Sequence, residues 1–163
     1  MGTFQGLLNS QDALTIERFQ ASAPVNVVGI ANAFGINVYH DELPEGISGK
    51  IIRDSEHGGS SGFSIIVNES EPFHRKRFTI AHEIAHFLLH RNRIGDGLTD
   101  DALYRSGLST VAEVRANKLA ADILMPYALI EKAVKDGAKS VEELAARFKV
   151  SQQAMKVRLE ITA

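Results

Sequence analysis

The first forty residues have a pattern of apolar and polar positions that predicts two short helices and a strand. Residues 12–20 have the spacing of an amphipathic helix, and Pro24 can begin a second helix that ends at Gly35. Residues 36–39 then predict a first strand. A small sheet is therefore expected to begin early in the chain.

Two further strands are predicted at residues 47–53 and 63–68, which are rich in β-branched side chains. A cluster of glycine and serine at residues 58–62 lies between them, and such a cluster is typical of a turn. We expect the two strands to pair as a hairpin.

Residues 79–90 have the sharpest helical pattern in the chain. On a helical wheel the polar residues fall on one arc, and apolar residues fill the remainder. The residues on the polar arc are Thr79, His82, Glu83, His86 and His90. The pattern predicts a helix that is buried except along this stripe. The basic run at residues 74–77, just before the helix, is expected to be solvated.

The remaining sequence is predicted to be mainly helical. Residues 91–109 form a long connection with a short helix near residues 101–104, and a helix follows at residues 113–126. Residues 140–159 have a helix–turn–helix pattern. The second of these helices offers chiefly Gln152, Gln153, Lys156 and Arg158 as polar side chains, which is a small set for reading DNA.

Composition and charge favour a compact domain over a tail or a fibre. The 163 residues, of which 44% are hydrophobic, can form one main domain with room for a small module. The net charge of −2 gives no whole-chain signal for nucleic acid or membrane. The absence of cysteine excludes disulfides and thiolate metal sites. With no signal peptide and no long apolar run in the sequence, the expected location is the cytoplasm.

The pentad at residues 82–86 has the spacing of a zinc-hydrolase helix. His82 and His86 lie about 6 Å apart along the axis on one face, so both imidazoles can reach one metal ion. A metal also relieves the cost of burying these polar groups. His90 lies about 12 Å from His82, too far to share the ion, and is expected to pack or to form a hydrogen bond. The alternative is a chance match on a helix whose histidines face water.

Two histidines do not complete a zinc site, and Glu113 is the leading candidate for the third ligand. It shares the apolar face of its predicted helix with Asn117, Ala120 and Leu124. The opposite face carries Arg115, Lys118 and Asp122. A buried carboxylate needs a cationic partner, which can be a metal ion or a basic side chain.

Other side chains remain in contention around this predicted site. Asp96, Asp100 and Asp101 are rival ligands, although a flexible loop fixes geometry poorly. Asn117, one turn beyond Glu113, could hold a ligand in place. Tyr104 is a candidate for stabilising the oxyanion of the transition state.

Two motifs give the chain a family resemblance. The segment RFTIAHEIAHFLLH at residues 77–90, followed by E-x-x-A-N-x-x-A-A-x-x-L-M-P at residues 113–126, resembles the ImmA/IrrE family of bacterial metallopeptidases. Similarity continues at residues 24–27, 47–54 and 144–159, so it covers nearly the whole chain. The combination is far more specific than the pentad alone.

The resemblance implies a function and a site. His82, His86 and Glu113 would hold Zn²⁺, and Glu83 would be the general base. Similar proteins cut Xre-type helix–turn–helix repressors and so relieve repression in stress, in DNA damage or in mobile elements. Since peptidases commonly bind substrate as an added strand, we expect the second or third strand to supply an open sheet edge.

The predicted fold class is α+β, with a small N-terminal sheet packed on helices in a zincin-like arrangement. Residues 1–130 would form the peptidase domain and residues 131–163 a helix–turn–helix-like helical region. The expected partner is a repressor protein, with DNA disfavoured and no membrane association. The competing interpretations are a non-catalytic zinc-containing regulator that binds DNA or a protein, and the toxin of a toxin–antitoxin pair.

Overall fold

The computed structural model describes residue 4 and residues 6–94, 98–101 and 110–160. The α-helices in these ranges are α1 (Ser10–Glu17), α2 (Val27–Ala33), α3 (Phe73–His90), α4 (Thr110–Leu124), α5 (Tyr127–Lys135), α6 (Val141–Phe148) and α7 (Gln152–Arg158). The strands are β1 (Ile36–Asp41), β2 (Ile47–Arg53), β3 (Phe63–Asn68) and β4 (Leu98–Asp101). A 3₁₀ turn at Arg91–Arg93 follows α3.

The strands form one sheet in the order β1-β3-β2-β4. β2 and β3 pair antiparallel with Ile51 opposite Ile65, which confirms the predicted hairpin. β1 lies parallel to β3 on its other side. Because β2 and β3 both have a neighbour on each side, the expectation that one of them supplies an open edge is wrong.

β4 was not predicted, because its sequence carries no strand pattern of its own. The backbone at residues 98–101 pairs antiparallel with β2, and Leu98 lies opposite Ile51. An uncovered β2 would present a row of unpaired N–H and C=O groups, and β4 satisfies them. The predicted short helix near residues 101–104 lies mostly outside the described residues, and Asp101 itself belongs to the strand.

α3 begins at Phe73, directly after Pro72, and therefore includes the basic run that was expected to precede it. Arg77 is not solvated as predicted. It is half-buried, and its guanidinium donates hydrogen bonds to the carbonyl oxygens of Val25 at 2.9 Å and Lys149 at 3.2 Å. The Lys149 carbonyl lies at the C-terminal end of α6, where free carbonyl groups favour a cation.

One continuous core extends from the sheet to the C-terminal helices. Phe87 of α3 meets Phe63 of β3 edge-on with ring centroids 5.2 Å apart, and both belong to the same buried cluster as Phe148 and Met155. The predicted domain boundary at residue 130 stays a prediction, but buried contacts cross it.

The two C-terminal helices form as predicted, with side-chain caps at their first turns. The Ser140 hydroxyl accepts a hydrogen bond from the amide of Glu143, and the Ser151 hydroxyl accepts one from the amide of Ala154. Between the helices Lys149 adopts a left-handed conformation with φ of 54°. This conformation ends α6 and allows the tight turn into α7.

The end of α7 is fixed to α4 by a buried ion pair. Arg158 donates to Asp122 Oδ1 at 2.6 Å and to the carbonyl of Met125 at 2.8 Å, and its guanidinium stacks over the Tyr127 ring. The sequence pattern placed Asp122 opposite the apolar face of its helix and offered Arg158 as a side chain for reading DNA, yet Asp122 is 3% and Arg158 is 7% exposed. The prediction failed because α7 covers that side of α4, and a helical wheel for one helix cannot show its neighbours.

Candidate metal centre

The polar stripe of α3 is buried by the elements that pack on this helix. Its five residues, Thr79, His82, Glu83, His86 and His90, are all less than 10% exposed. The sequence pattern predicted that this stripe alone would be open, and the packing of α4 and β2 on α3 closes it. Burial of this many polar groups is costly unless they bond to each other or to a ligand.

β2 approaches α3 closely at Gly49. A Cβ atom on this glycine would lie 2.5 Å from the Thr79 Cγ2 atom and 3.0 Å from the carbonyl oxygen of Ile66. Only a residue without a side chain therefore lets the sheet pack against the polar stripe. A glycine inside a strand pattern is a recognised signal of such close approach, and the sequence interpretation did not use it.

Three side chains converge from α3 and α4. His82 Nε2 and His86 Nε2 are 3.0 Å apart. Glu113 directs one carboxylate oxygen to each, at 3.3 Å from His82 Nε2 and 3.4 Å from His86 Nε2. Together they are the described His and carboxylate group whose donor atoms all lie within 4.8 Å of one another. The structure thus brings together the three residues that the sequence nominated as ligands.

The arrangement fits a zinc ion in both chemistry and size. Imidazole nitrogen and carboxylate oxygen are the cysteine-free donors that zinc prefers. Donors bound tetrahedrally at about 2.0–2.1 Å from zinc are about 3.3–3.4 Å apart, which is close to the three observed separations. Glu113 is 18% exposed whereas His86 is fully buried, so the solvent side of the cluster is the Glu113 side.

Glu83 lies next to this cluster in the sequence and is fully buried. It follows His82 directly on α3, and its carboxyl group lies in the protein interior. A general base must be close to the reacting water and fixed in direction. Its burial in the middle of α3 gives the Glu83 carboxyl group the fixed position that a general base would need.

His90 forms a hydrogen bond with His86 through their Nδ1 atoms, which are 3.1 Å apart. If the Nε2 atom of His86 binds a metal, the proton of its neutral ring must be on Nδ1. Nδ1 of His86 then donates to Nδ1 of His90, which fixes the tautomer and the orientation of the His86 ring. His90 is therefore a candidate for positioning the His86 ring.

The other sequence candidates do not join the cluster. Asn117 is exposed on α4 and lines a groove on the surface, although the wheel placed it on the apolar face. Tyr104 and Asp96 lie outside the described residues, and Asp100 and Asp101 are described only as backbone of β4. A role for Asn117 or Tyr104 at the site stays a prediction.

Comparisons with known proteins agree with this geometry. The family model for the IrrE N-terminal-like domain, Peptidase_M78, matches residues 31–160. A solved structure described as a Mycobacterium tuberculosis transcriptional regulator is similar over 94% of this chain and 48% of that chain, with 20% identity and a TM-score of 0.57. This chain therefore spans about half of that protein, and the likeness concerns the fold. None of the curated proteins is significantly similar.

Proposed function

Since the chain belongs to the family of the IrrE N-terminal-like domain, we propose that it is a zinc-dependent endopeptidase. The observation that carries the proposal is the convergence of His82, His86 and Glu113, with Glu83 buried beside them. The α+β fold, with its sheet packed on the ligand helices, is the zincin-like arrangement predicted from the sequence.

The residues of the site would have separate roles in peptide hydrolysis. His82, His86 and Glu113 would hold the ion, and His90 would keep the His86 ring in its binding tautomer. When bound, zinc supplies Lewis-acid chemistry that acidifies water and polarises a carbonyl group. Glu83 takes a proton from the attacking water and returns it to the leaving amine.

A helix–turn–helix repressor of the Xre type is the proposed substrate. The family resemblance supports this choice, and cleavage of such a repressor would relieve repression in stress, DNA damage or mobile-element control. The proposed location is the cytoplasm, where repressors act. In the described part of the chain, no helix is both long and apolar enough to span a membrane.

The burial of Arg158 supports a protein partner over DNA. Of the polar side chains that α7 offered for reading DNA, Arg158 is committed to Asp122 inside the protein. The remaining candidates, Gln152, Gln153 and Lys156, include one charge. A DNA-binding surface depends chiefly on cationic contacts to phosphate, so α7 is poorly equipped for that role.

A non-catalytic zinc protein would need a different donor set. Structural zinc is normally closed by four protein ligands, whereas three side chains converge within the described residues. A structural site also has no use for a buried carboxyl group beside it. The metal centre therefore supports a peptidase over the regulator and toxin interpretations.

The test is cleavage of a candidate Xre-type repressor encoded near the gene, followed by electrophoresis and mass spectrometry. We expect the wild type to cut the repressor and Glu83→Gln to be at least about 100-fold slower while still binding zinc. Glu131→Gln, at an exposed position on α5, is the matched control and should cut normally.

Two outcomes would contradict the proposal. Cleavage by Glu83→Gln at the wild-type rate would remove Glu83 from the mechanism. Rapid digestion of unfolded casein together with the repressor would show a general protease and not a specific one.

A further inference from the structure

A groove of about 680 Å³ lies on the surface between the first turns of α3, the second half of α4, and α7. It is separate from the cluster of His82, His86 and Glu113, none of which lines it. Asn117, whose role was left open above, is at its near end. The volume of the groove is within the range of about 300–1,000 Å³ that is usual for ligand sites in proteins.

The lining is mainly apolar and partly open to solvent. Phe78 of α3, Ala121 of α4, Met125 just after α4, and Val157 of α7 contribute side chains to it. Val157 is 66% exposed, and Tyr127 at the rim is 48% exposed. Large apolar side chains left in solvent around one concave surface are typical of a site for another protein.

The groove lies next to the metal centre along both helices that carry the proposed ligands, α3 and α4. On α4, Asn117 is one turn beyond Glu113, and Ala121 is one turn further. On α3, Phe78 is one turn before His82. Each step of four residues is about 6 Å along the axis and stays on the same face. The Asn117 and Phe78 end of the groove is therefore about one helical turn along α4 and α3 from the residues of the metal centre.

The charged side chains at the rim of the groove determine which charge on a bound polypeptide is favourable. His74, Arg75 and Lys118 are exposed cationic or titratable groups in the lining, and Glu160 is the acidic one. Arg75 is 4.0 Å from Glu71 and its side chain is 61% exposed, so it can reach a second carboxylate. The exposed charged residues of the lining are Arg75 and Lys118 against Glu160, a formal net charge of +1, whereas the chain as a whole carries −2. Acidic side chains on the partner would complement this rim.

The dimensions suit a short helix. The wall formed by α4 and the residue that follows it, from Asn117 to Met125, is about 12 Å long by helical rise, which matches two turns of a guest helix. Grooves between helices commonly take the apolar face of an amphipathic helix, with charged flanks setting its direction.

We propose that this groove is a docking site for an acidic amphipathic helix of the protein substrate, which it holds next to the metal centre. The inference rests on the proposed peptidase function, because it takes the partner to be the protein that is cut. It adds the region that would give the enzyme its preference for one substrate. The docking region is distinct from the residues that carry out hydrolysis.

The probe is a fluorescent synthetic helix of about 16 residues, long enough to be helical in solution, with leucine on one face and glutamate along both flanks. A second peptide has lysine in place of each glutamate. Binding is measured by fluorescence anisotropy with Glu83→Gln protein, in which we expect cleavage of the probe to be at least about 100-fold slower than in the wild type. We expect the acidic peptide to bind and the lysine peptide to bind at least about tenfold more weakly.

Substitutions in the groove have matched controls on α5. Val157→Glu and Lys118→Glu should each weaken binding of the acidic peptide at least about tenfold. Val134→Glu and Lys135→Glu make the same changes at exposed positions outside the groove and should leave binding unchanged. Circular dichroism verifies that each variant is folded, and two independent groove variants guard against misfolding of one.

Several results would overturn the docking proposal. These are no binding of the acidic peptide, equal binding of the two peptides, and equal effects of groove and control variants. Self-association that Val157→Glu abolishes would show that the groove binds a second copy of the chain. Tight binding of duplex DNA that Lys118→Glu abolishes would show that it binds nucleic acid.

The same proteins separate failure of docking from failure of the proposed function. If the acidic peptide binds in the groove but the wild type does not cleave the repressor, the docking proposal is supported and the peptidase proposal is contradicted. If both Val157→Glu and Lys118→Glu cleave the repressor at the wild-type rate, the peptidase proposal is supported and the docking proposal is contradicted.

Discussion

At the scale of single residues, substitution of His90 tests whether His82, His86 and His90 of α3 are arranged to bind a metal ion. Its Nδ1 atom is 3.1 Å from Nδ1 of His86 and should fix the tautomer that leaves His86 Nε2 free to bind. Removing such a partner typically weakens metal binding about 10–100-fold. We expect His90→Ala to lose zinc affinity in this range, measured by competition with a chromophoric chelator.

Two further variants make the His90 test specific. His90→Gln can still accept a hydrogen bond and should recover part of the affinity. His40→Ala removes an exposed histidine on β1 and should have no effect. Wild-type zinc affinity in His90→Ala would show that the contact between His86 and His90 does not position the ligand.

The buried pair of Arg158 and Asp122 gives a second prediction. Burial raises the pKa of the Asp122 carboxyl group, and the Arg158 guanidinium offsets this in part by lowering it. Arg158→Met leaves the carboxylate uncompensated and should reduce the free energy of unfolding by about 3–5 kcal/mol at neutral pH. Urea unfolding followed by circular dichroism measures the loss.

The loss of unfolding free energy in Arg158→Met should depend on pH in a predictable direction. An acid whose pKa is raised by folding holds its proton longer in the folded state, so its contribution to stability falls as pH rises. Without Arg158 this rise in pKa is larger, so the cost of Arg158→Met should increase from pH 4 to pH 7. A cost that is independent of pH would show that Asp122 is not the unpaired group. Arg158→Met with Asp122→Leu should restore much of the stability.

The sequence was most informative about residues on one helix. The spacing of His82 and His86 fixes their proximity because helical geometry is local. Glu113 could be nominated as the third ligand because its carboxyl group lies on the apolar face of its predicted helix. Arg158 and Asp122 are 36 positions apart, and each looks like a solvated residue on its own helix, so their pairing could not be predicted.

At the scale of elements, Gly49 sets the distance between β2 and α3. A Cβ atom there would lie 2.5 Å from Thr79 Cγ2, so Gly49→Ala should push the helix away from the sheet. Overpacking of this kind costs about 1–3 kcal/mol of unfolding free energy. Adding Thr79→Ser removes the obstructing methyl group and should return part of the loss. If Gly49→Ala is as stable as the wild type, the sheet does not press on α3 at this point.

The elements that the sequence predicted well are those with a strong local pattern. The hairpin of β2 and β3 and the capped helix α6 follow from branched side chains and a capping serine. β4 was missed because its pairing comes from the exposed edge of β2 and not from its own residues. α2 was expected to begin at Pro24, but it begins at Val27 because Asn26 caps it.

At the scale of the whole molecule, Arg77 ties α3 to the C-terminal helices. Its guanidinium bonds to the carbonyl oxygens of Val25 and Lys149, so one side chain links three separate segments. Arg77→Met removes both hydrogen bonds, including the part-buried one to Val25, and should lower the free energy of unfolding by about 1–3 kcal/mol, measured by urea unfolding. Arg75→Met, whose side chain is 61% exposed, should change stability by less than about 0.5 kcal/mol.

Arg77 also bears on the division of the chain into domains. If residues 1–130 and 131–163 fold together, Arg77→Met will lower the stability of a single transition. If they fold separately, unfolding of the wild type will show two transitions and Arg77→Met will affect their coupling. The composition of the chain could not decide this, because the contacts that join the two parts are hydrogen bonds and packing between distant segments.

The most direct test of the metal centre is the metal content of protein purified without added metal, measured by mass spectrometry. Three convergent donors predict about one zinc per chain in the wild type and loss of zinc in His86→Ala and Glu113→Gln. Glu131→Gln should keep the metal, since its side chain is exposed on α5. A wild-type protein that binds no metal even after zinc is supplied would contradict the metallopeptidase assignment.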